Sequence, residues 1–218
     1  HEGLDLEDPA NEPDLDKDKF LEMSVSPYKA PDVATEVSVD FEAGVPVAVN
    51  GEKMKVSKII AKLNELGGAN GIGILDIVEN RLIGMKDHGI YETPGGTILY
   101  FAHEQLEMLT LDKETAHMKS KLAVDYADLI YNGKWFSPLA EALTAFAKKA
   151  NENCTGTVKL KLYKGNMINA GITSPNSLYS EELVTFGESD FDQAQAAGFI
   201  NIWGLPTKVQ SLLKSGKL

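Results

Sequence analysis

Glu79 and Tyr91 stand at the two ends of ENRLIGMKDHGIY, a stretch punctuated by Gly84 and Gly89. A carboxylate and a phenol that bracket a short strand–turn unit form a plausible receiver for an ammonium group. The carboxylate would supply a charge-assisted hydrogen bond and the phenol a neutral polar contact. Glu79 follows Ile74-Leu75-Asp76-Ile77-Val78, a run that predicts a buried strand with the carboxylate at its mouth. A half-buried carboxylate needs a cationic or hydrogen-bonding partner. The plainer readings are an ion pair with Arg81 or Lys86 for Glu79, and an aromatic lid over the core for Tyr91.

Other groups of reactive residues carry less. Asp14, Asp16 and Asp18 begin like a calcium loop, but the glycine and glutamate that the motif requires are replaced by Lys19 and Val25. Gly67 to Gly73, GGANGIG, has the glycine content of a phosphate loop in the wrong order. A dinucleotide loop follows a strand and opens a helix; here a helix should end and a strand begin, which predicts a C-cap and turn. No GxxxxGK[ST] occurs, so no Walker-type ATP site is expected in this chain. His103 and Glu107 have helical spacing that suits two metal ligands, yet lack further ligands, so an exposed helical pair is expected and no metal. Cys154 and the serines lack the surroundings of a nucleophile, and no catalytic residue is assigned.

The elements that must position Glu79 and Tyr91 follow from period and punctuation. Residues 1–35 read as an acidic, proline-containing loop or linker. Val37, Val39 and Phe41, then Val45, Val47 and Val49, alternate around Ala43-Gly44 as a hairpin, and Asn50-Gly51 makes a second turn. Ser57 is the expected cap of a helix to about Leu66, with Ile59, Ile60, Leu63 and Leu66 on one face and Gly67 closing it. A strand over Ile72 to Val78 should be continued or paired by Leu82 to Met85. Thr93-Pro94 predicts a helix start, Asp112 the cap of the next helix with Met118, Leu122, Tyr126 and Leu129 inward, and Asn132-Gly133 its end. Ser137-Pro138 should start a third, with Leu139, Leu143, Phe146 and Ala150 inward. A hairpin around Lys164-Gly165, a short helix from about Phe191 to Ala197 and an amphipathic helix to about Lys214 complete the pattern. Strands and helices are segregated, which predicts an α+β fold: β-hairpins or a mixed sheet packed with a helical cluster.

Composition narrows the function classes. The 218 residues carry a net charge of −11, which argues against a nucleic-acid binder, since that needs a basic face. No apolar run approaches a membrane span. Cys154 is the only cysteine, so no disulfide forms within the chain, as suits a reducing cytoplasm. His1 opens an acidic stretch with no Met, charged n-region or apolar h-region, so no signal peptide and a fragment of a longer protein are expected.

DIVENRLIGMKDHGIYETPGGTILYFAH resembles the most recognisable C-terminal stretch of the argininosuccinate synthase family. HEGLDLEDP, FEAGVPVAVNG, LIYNGKWFSPLAEAL, SPNSLYSEELVTF and FDQAQAAGFINIWGL are similar to that family in the same order. The resemblance covers nearly the whole chain and implies the following. The SGGxD loop of the family's N-terminal ATP-pyrophosphatase domain is absent, so the chain should begin just inside the synthetase part. Residues 36–197 would be the citrulline-binding synthetase domain and residues 198–218 a multimerisation segment, Leu205, Val209, Leu212 and Leu213 lining one side of its helix. The family condenses citrulline with aspartate using ATP, by way of a citrullyl-AMP intermediate, and is a cytoplasmic homotetramer. ATP, with Mg2+, would be bound mainly by the N-terminal domain; Glu79 and Tyr91 would bind citrulline. The alternative is a structural or oligomerisation module, inactive without the nucleotide domain. Neither reading expects nucleic acid or membrane as a partner.

Overall fold

The computed structural model describes residues 6, 8–17, 19–184 and 192–218; Asp18, His1 and Phe191, named above, lie outside them. The chain divides into two units, His1–Leu178 and Tyr179–Leu218.

In the first unit the order is β1 (Thr35–Glu42), β2 (Val45–Val49), β3 (Glu52–Lys53), α1 (Val56–Ala69), β4 (Ile74–Asn80), β5 (Lys86–Glu92), α2 (Pro94–Thr110), α3 (Lys113–Tyr131), α4 (Pro138–Ala150), β6 (Gly156–Tyr163) and β7 (Asn166–Thr173). The fold is α+β, and every strand pairing among the described residues is antiparallel. Five strands make one sheet in the order β3-β2-β1-β6-β7, while β4 and β5 form a separate two-stranded ribbon.

Local chemistry accounts for the turns of the large sheet. Ala43-Gly44, Asn50-Gly51 and Lys164-Gly165 all take positive φ, the two-residue geometry whose twist matches that of the flanking strands. Along β1 and β6, alternate residues face α1 and α2. Val37, Val39, Phe41, Val158, Leu160 and Leu162 are buried there against Ile59, Leu63, Ile98, Ala102 and Leu106. Burying each such side chain contributes about 1.5–3 kcal/mol, and this layer is the core.

Glycine lets α1 and α2 approach closely. A Cβ on Gly67 would stand 2.9 Å from both Ile98 and Pro94, and one on Gly95 would stand 2.8 Å from the Ile60 carbonyl. Asn64 Oδ1 accepts the Gly95 N–H at 2.8 Å. Helix α1 does not close at Gly67 but runs on to Ala69. Its N-cap is Lys55, not Ser57, and makes no side-chain bond; Ile60 faces solvent. The other helix starts follow the expected chemistry. Asp112 accepts from Thr115 N–H at 2.9 Å, Ser137 accepts from Ala140 N–H at 3.2 Å, and Pro94 and Pro138 occupy first turns.

The inward faces expected of α3 and α4 are only partly so. No residue of α3 is buried, and Met118 and Leu139 are exposed. Ala140 and Leu143 are the buried residues of α4. The two helices meet through a hydroxyl contact, Tyr126 to Thr144, at 3.1 Å.

In the second unit, α5 (Glu181–Val184) is followed by α6 (Gln195–Trp203) and α7 (Leu205–Lys214). Helix α6 continues through Gly198, where the sequence reading ended a helix at Ala197, and it stops at Gly204. None of the residues of α6 and α7 is buried. Phe199 stacks on Trp203 at 5.5 Å within α6.

Candidate functional site

Gly73 leads the chain into β4 with φ +79, and a Cβ there would stand 2.7 Å from the backbone of Thr93 and Pro94. Thr93 N–H donates to the Gly73 carbonyl at 2.8 Å. The base of the ribbon is thereby fixed to the start of α2. The pairing is Leu75 with Tyr91, Ile77 with Gly89 and Glu79 with Asp87, so these six share one face. Asp76, Val78, Ile90 and His88 take the other. Leu82 to Met85 is neither a continuation nor a partner of β4; it is the turn, closed by Arg81 N–H to Met85 O at 2.8 Å and Gly84 N–H to Arg81 O at 2.7 Å.

β4 is an exposed ribbon strand, not a buried one. Leu75 is 51% and Val78 50% exposed. A single pair of strands covers neither face of its own, which the apolar run did not reveal. On the face shared by Glu79 and Tyr91, the Tyr91 ring lies across Gly89, where an added Cβ would come within 3.3 Å of it. The Tyr91 hydroxyl donates to Glu79 Oε1. The two sequence-predicted residues are therefore in contact. Arg81, the cation expected to neutralise Glu79, is directed instead to Asp87 at 2.8 Å, and Glu79 pairs with no cation among the described residues. Tyr91 is 39% exposed, no lid over the core. The face presents a phenol-bound carboxylate to solvent, an arrangement suited to an ammonium.

Three further residues hold the ribbon, and only their contacts identify them. Glu92 accepts the backbone N–H groups of Glu22, Met23 and Ser24 at 2.8, 3.0 and 2.8 Å. Gly68 makes the same passage possible: a Cβ there would overlap the Met23 carbonyl, and its own carbonyl accepts Val25 N–H at 2.9 Å. Residues 22–25 are thus anchored on Glu92 and Gly68, while Asp14 and Asp16 stay exposed, as expected of a solvated stretch. Asp14 Oδ1 accepts Asp16 N–H, and Asp16 pairs with Lys29 at 3.2 Å. His88 lies between the Leu6 carbonyl and Asp76, both at 2.6 Å. Its hydrogen bond to Asp76, with that to Leu6, raises its pKa against the opposing effect of desolvation.

The remaining sequence candidates resolve into structure. GGANGIG is a helix end and turn, with Gly71 against Pro27 and Gly73 against Pro94, which leaves no cradle for a phosphate. His103 and Glu107 do pair, at 3.0 Å, but are 19% and 15% exposed and not a surface pair; Lys119 joins Glu107 at 2.6 Å. Burial works to raise the Glu107 carboxyl, but His103 and Lys119 outweigh it and hold the pKa below its ordinary value. The group lines a cavity of about 740 Å³ with Phe41, Leu99 and Met108. Cys154 is buried, and burial raises its pKa, against a contact with Thr110 at 3.2 Å. No group of three or more His, Cys, Asp or Glu gathers as metal ligands among the described residues. No helix there is long and apolar enough to cross a membrane.

The fold is an α+β domain that carries a carboxylate–phenol pair on an anchored ribbon. Residues 1–210 match a family profile described as the Arginosuccinate synthase C-terminal domain. The chain belongs to the argininosuccinate synthase family. It is 58% identical to a protein of Clostridium botulinum (strain Alaska E43 / Type E3) named argininosuccinate synthase, over 100% of this chain and 54% of that protein. It is 56% identical to the protein of that name from Desulforamulus reducens, over 98% of this chain and 53% of the relative. A third, from Acetivibrio thermocellus, is 58% identical over 98% and 53%. The chain spans about half the length of the curated relatives it matches.

Proposed function

We propose that this chain is the citrulline-binding, assembly-forming part of an ATP-dependent carbon–nitrogen ligase that makes argininosuccinate. ATP activates the ureido oxygen of citrulline as citrullyl-AMP and pyrophosphate leaves. The aspartate amine then attacks the activated carbon and expels AMP. The observation that carries the reading is the Glu79 carboxylate, held by the Tyr91 hydroxyl and lacking a cation among the described residues. The ammonium of citrulline would complete that pair. The contribution of this chain is positioning, worth much when a reacting group must be held in line, with no proton moved by Glu79 or Tyr91. ATP, with Mg2+, is assigned to the part of the protein outside this stretch, because the glycine-rich turn here is filled by Pro27 and Pro94. In the full-length enzyme, Glu79→Gln should raise the citrulline KM on the order of tenfold to a hundredfold, about 1.5–3 kcal/mol, and leave ATP binding nearly unchanged. An unaltered citrulline KM would remove Glu79 from the site.

Assembly is assigned to the second unit. Leu205, Val209 and Leu213 on α7, with Ile202 and Trp203 on α6, are exposed large apolar side chains. Such a face is costly in water and gains from a second copy as a homotetramer forms. Truncation after Gly204 should lower the mass found by light scattering at micromolar concentration. An undiminished oligomer would take α7 out of the interface. The setting proposed is the cytoplasm.

A further inference from the structure

We propose that His88 is a cationic clasp: as imidazolium it ties the backbone at Leu6 to the rear of the β4–β5 ribbon and sets the position of the Glu79–Tyr91 face. The side chain is 7% exposed. Nδ1 lies 2.6 Å from the Leu6 carbonyl oxygen and Nε2 lies 2.6 Å from Asp76 Oδ1. A carbonyl oxygen only accepts, and so does an ionised carboxylate. Both ring nitrogens must therefore carry hydrogen, which is the imidazolium form. Deprotonation would turn one nitrogen lone pair toward an oxygen lone pair at one end of the clasp.

The charged groups near the ring favour the cation. Asp76 faces it from β4 and Asp87 adjoins it on β5, both raising its pKa. Arg81 is drawn to Asp87. Lys86 lies two positions along the same ribbon face, paired with Asn80. Among the described residues of the N-terminal stretch, the group hydrogen-bonded to the ring is the Leu6 carbonyl. His88 precedes Gly89, over which the Tyr91 ring lies, so the clasp acts at the backbone beneath the proposed receiver. Because folding raises this pKa above its ordinary value of 6.5, the stabilisation is full below pH 6.5 and is lost as pH rises through the higher folded value.

The proposal does not depend on what the Glu79–Tyr91 face binds, and its test uses no substrate. In the 218-residue chain, nitrogen NMR of the His88 ring should show both nitrogens protonated at pH 6.5 and a titration midpoint above it. Amide-exchange protection factors over residues 74–92 should fall several-fold across that midpoint. His88→Arg should keep protection at high pH, and His88→Gln should lack it throughout. A neutral tautomer at pH 6, a midpoint at or below 6.5, or wild-type protection in His88→Gln would overturn the clasp. Should His88→Gln fail to fold, the wild-type ring titration and protection profile decide alone.

Discussion

In the five-stranded sheet, Val39, Val158, Leu160 and Leu162 lie in a dry layer beneath α1 and α2, whereas in the β4–β5 ribbon Leu75 and Val78 are half in water. The sheet is held by area removed from solvent, a term that tolerates small changes of angle. The ribbon buries Ile90 and is otherwise held by directed polar anchors: Glu92 on three backbone amides, His88 between Leu6 and Asp76, and Thr93 on Gly73. Directed bonds fix a carboxylate and a phenol in orientation without burying them. A receiver for a charged guest needs that combination, because a carboxylate in the dry layer would bear a large desolvation cost. The main dry layer and the proposed receiver therefore reside in different elements.

That division can be broken from either side. The largest effect on folding is expected from Ile59→Ala, which leaves a cavity under the sheet. It should cost about 2–5 kcal/mol in urea unfolding, and a shift below that range would mean the dry layer is not the main support. Glu92→Ala is intermediate. It frees three amides from a charged acceptor at a partly exposed position, for an expected loss of about 1–2 kcal/mol. It should also speed proteolytic cleavage near residues 22–24. Unchanged unfolding and cleavage would show that the acidic stretch is held by other contacts.

Gly89 is buried, but the nearest atoms a new Cβ would meet belong to the 39% exposed Tyr91 ring, which can swing away, so Gly89→Val should do least to stability, about 1 kcal/mol or less. It should nonetheless move the Tyr91 ring resonances, because the new side chain occupies the space under the ring. Undisturbed Tyr91 signals would mean the ring does not rest on Gly89 in solution. Loss of stability with undisturbed signals would reverse the assignment of roles to the two regions.

The sequence by itself determined what short-range chemistry controls. The turns at Ala43-Gly44, Asn50-Gly51 and Lys164-Gly165, the caps at Asp112 and Ser137, and the α+β segregation all follow from residue types within a few positions of one another. Glu79 and Tyr91 were singled out by type and spacing, and by resemblance; their contact was not, because it requires a register that pairs Ile77 with Gly89. Tertiary structure alone decided which apolar runs are dry. Ile74 to Val78 reads like a buried strand, but β4 pairs only with β5 and none of its residues is buried. It also decided that α1 runs through Gly67 and Gly68, since the reason for those glycines is the nearness of Pro94, Ile98 and the Met23 carbonyl. The pairing of β1 with β6 is of the same kind: Thr157 donates to Asp40 across 117 residues at 2.6 Å. The closure entropy of so long a loop is met only by contacts that form once both ends have arrived, and no local pattern encodes them.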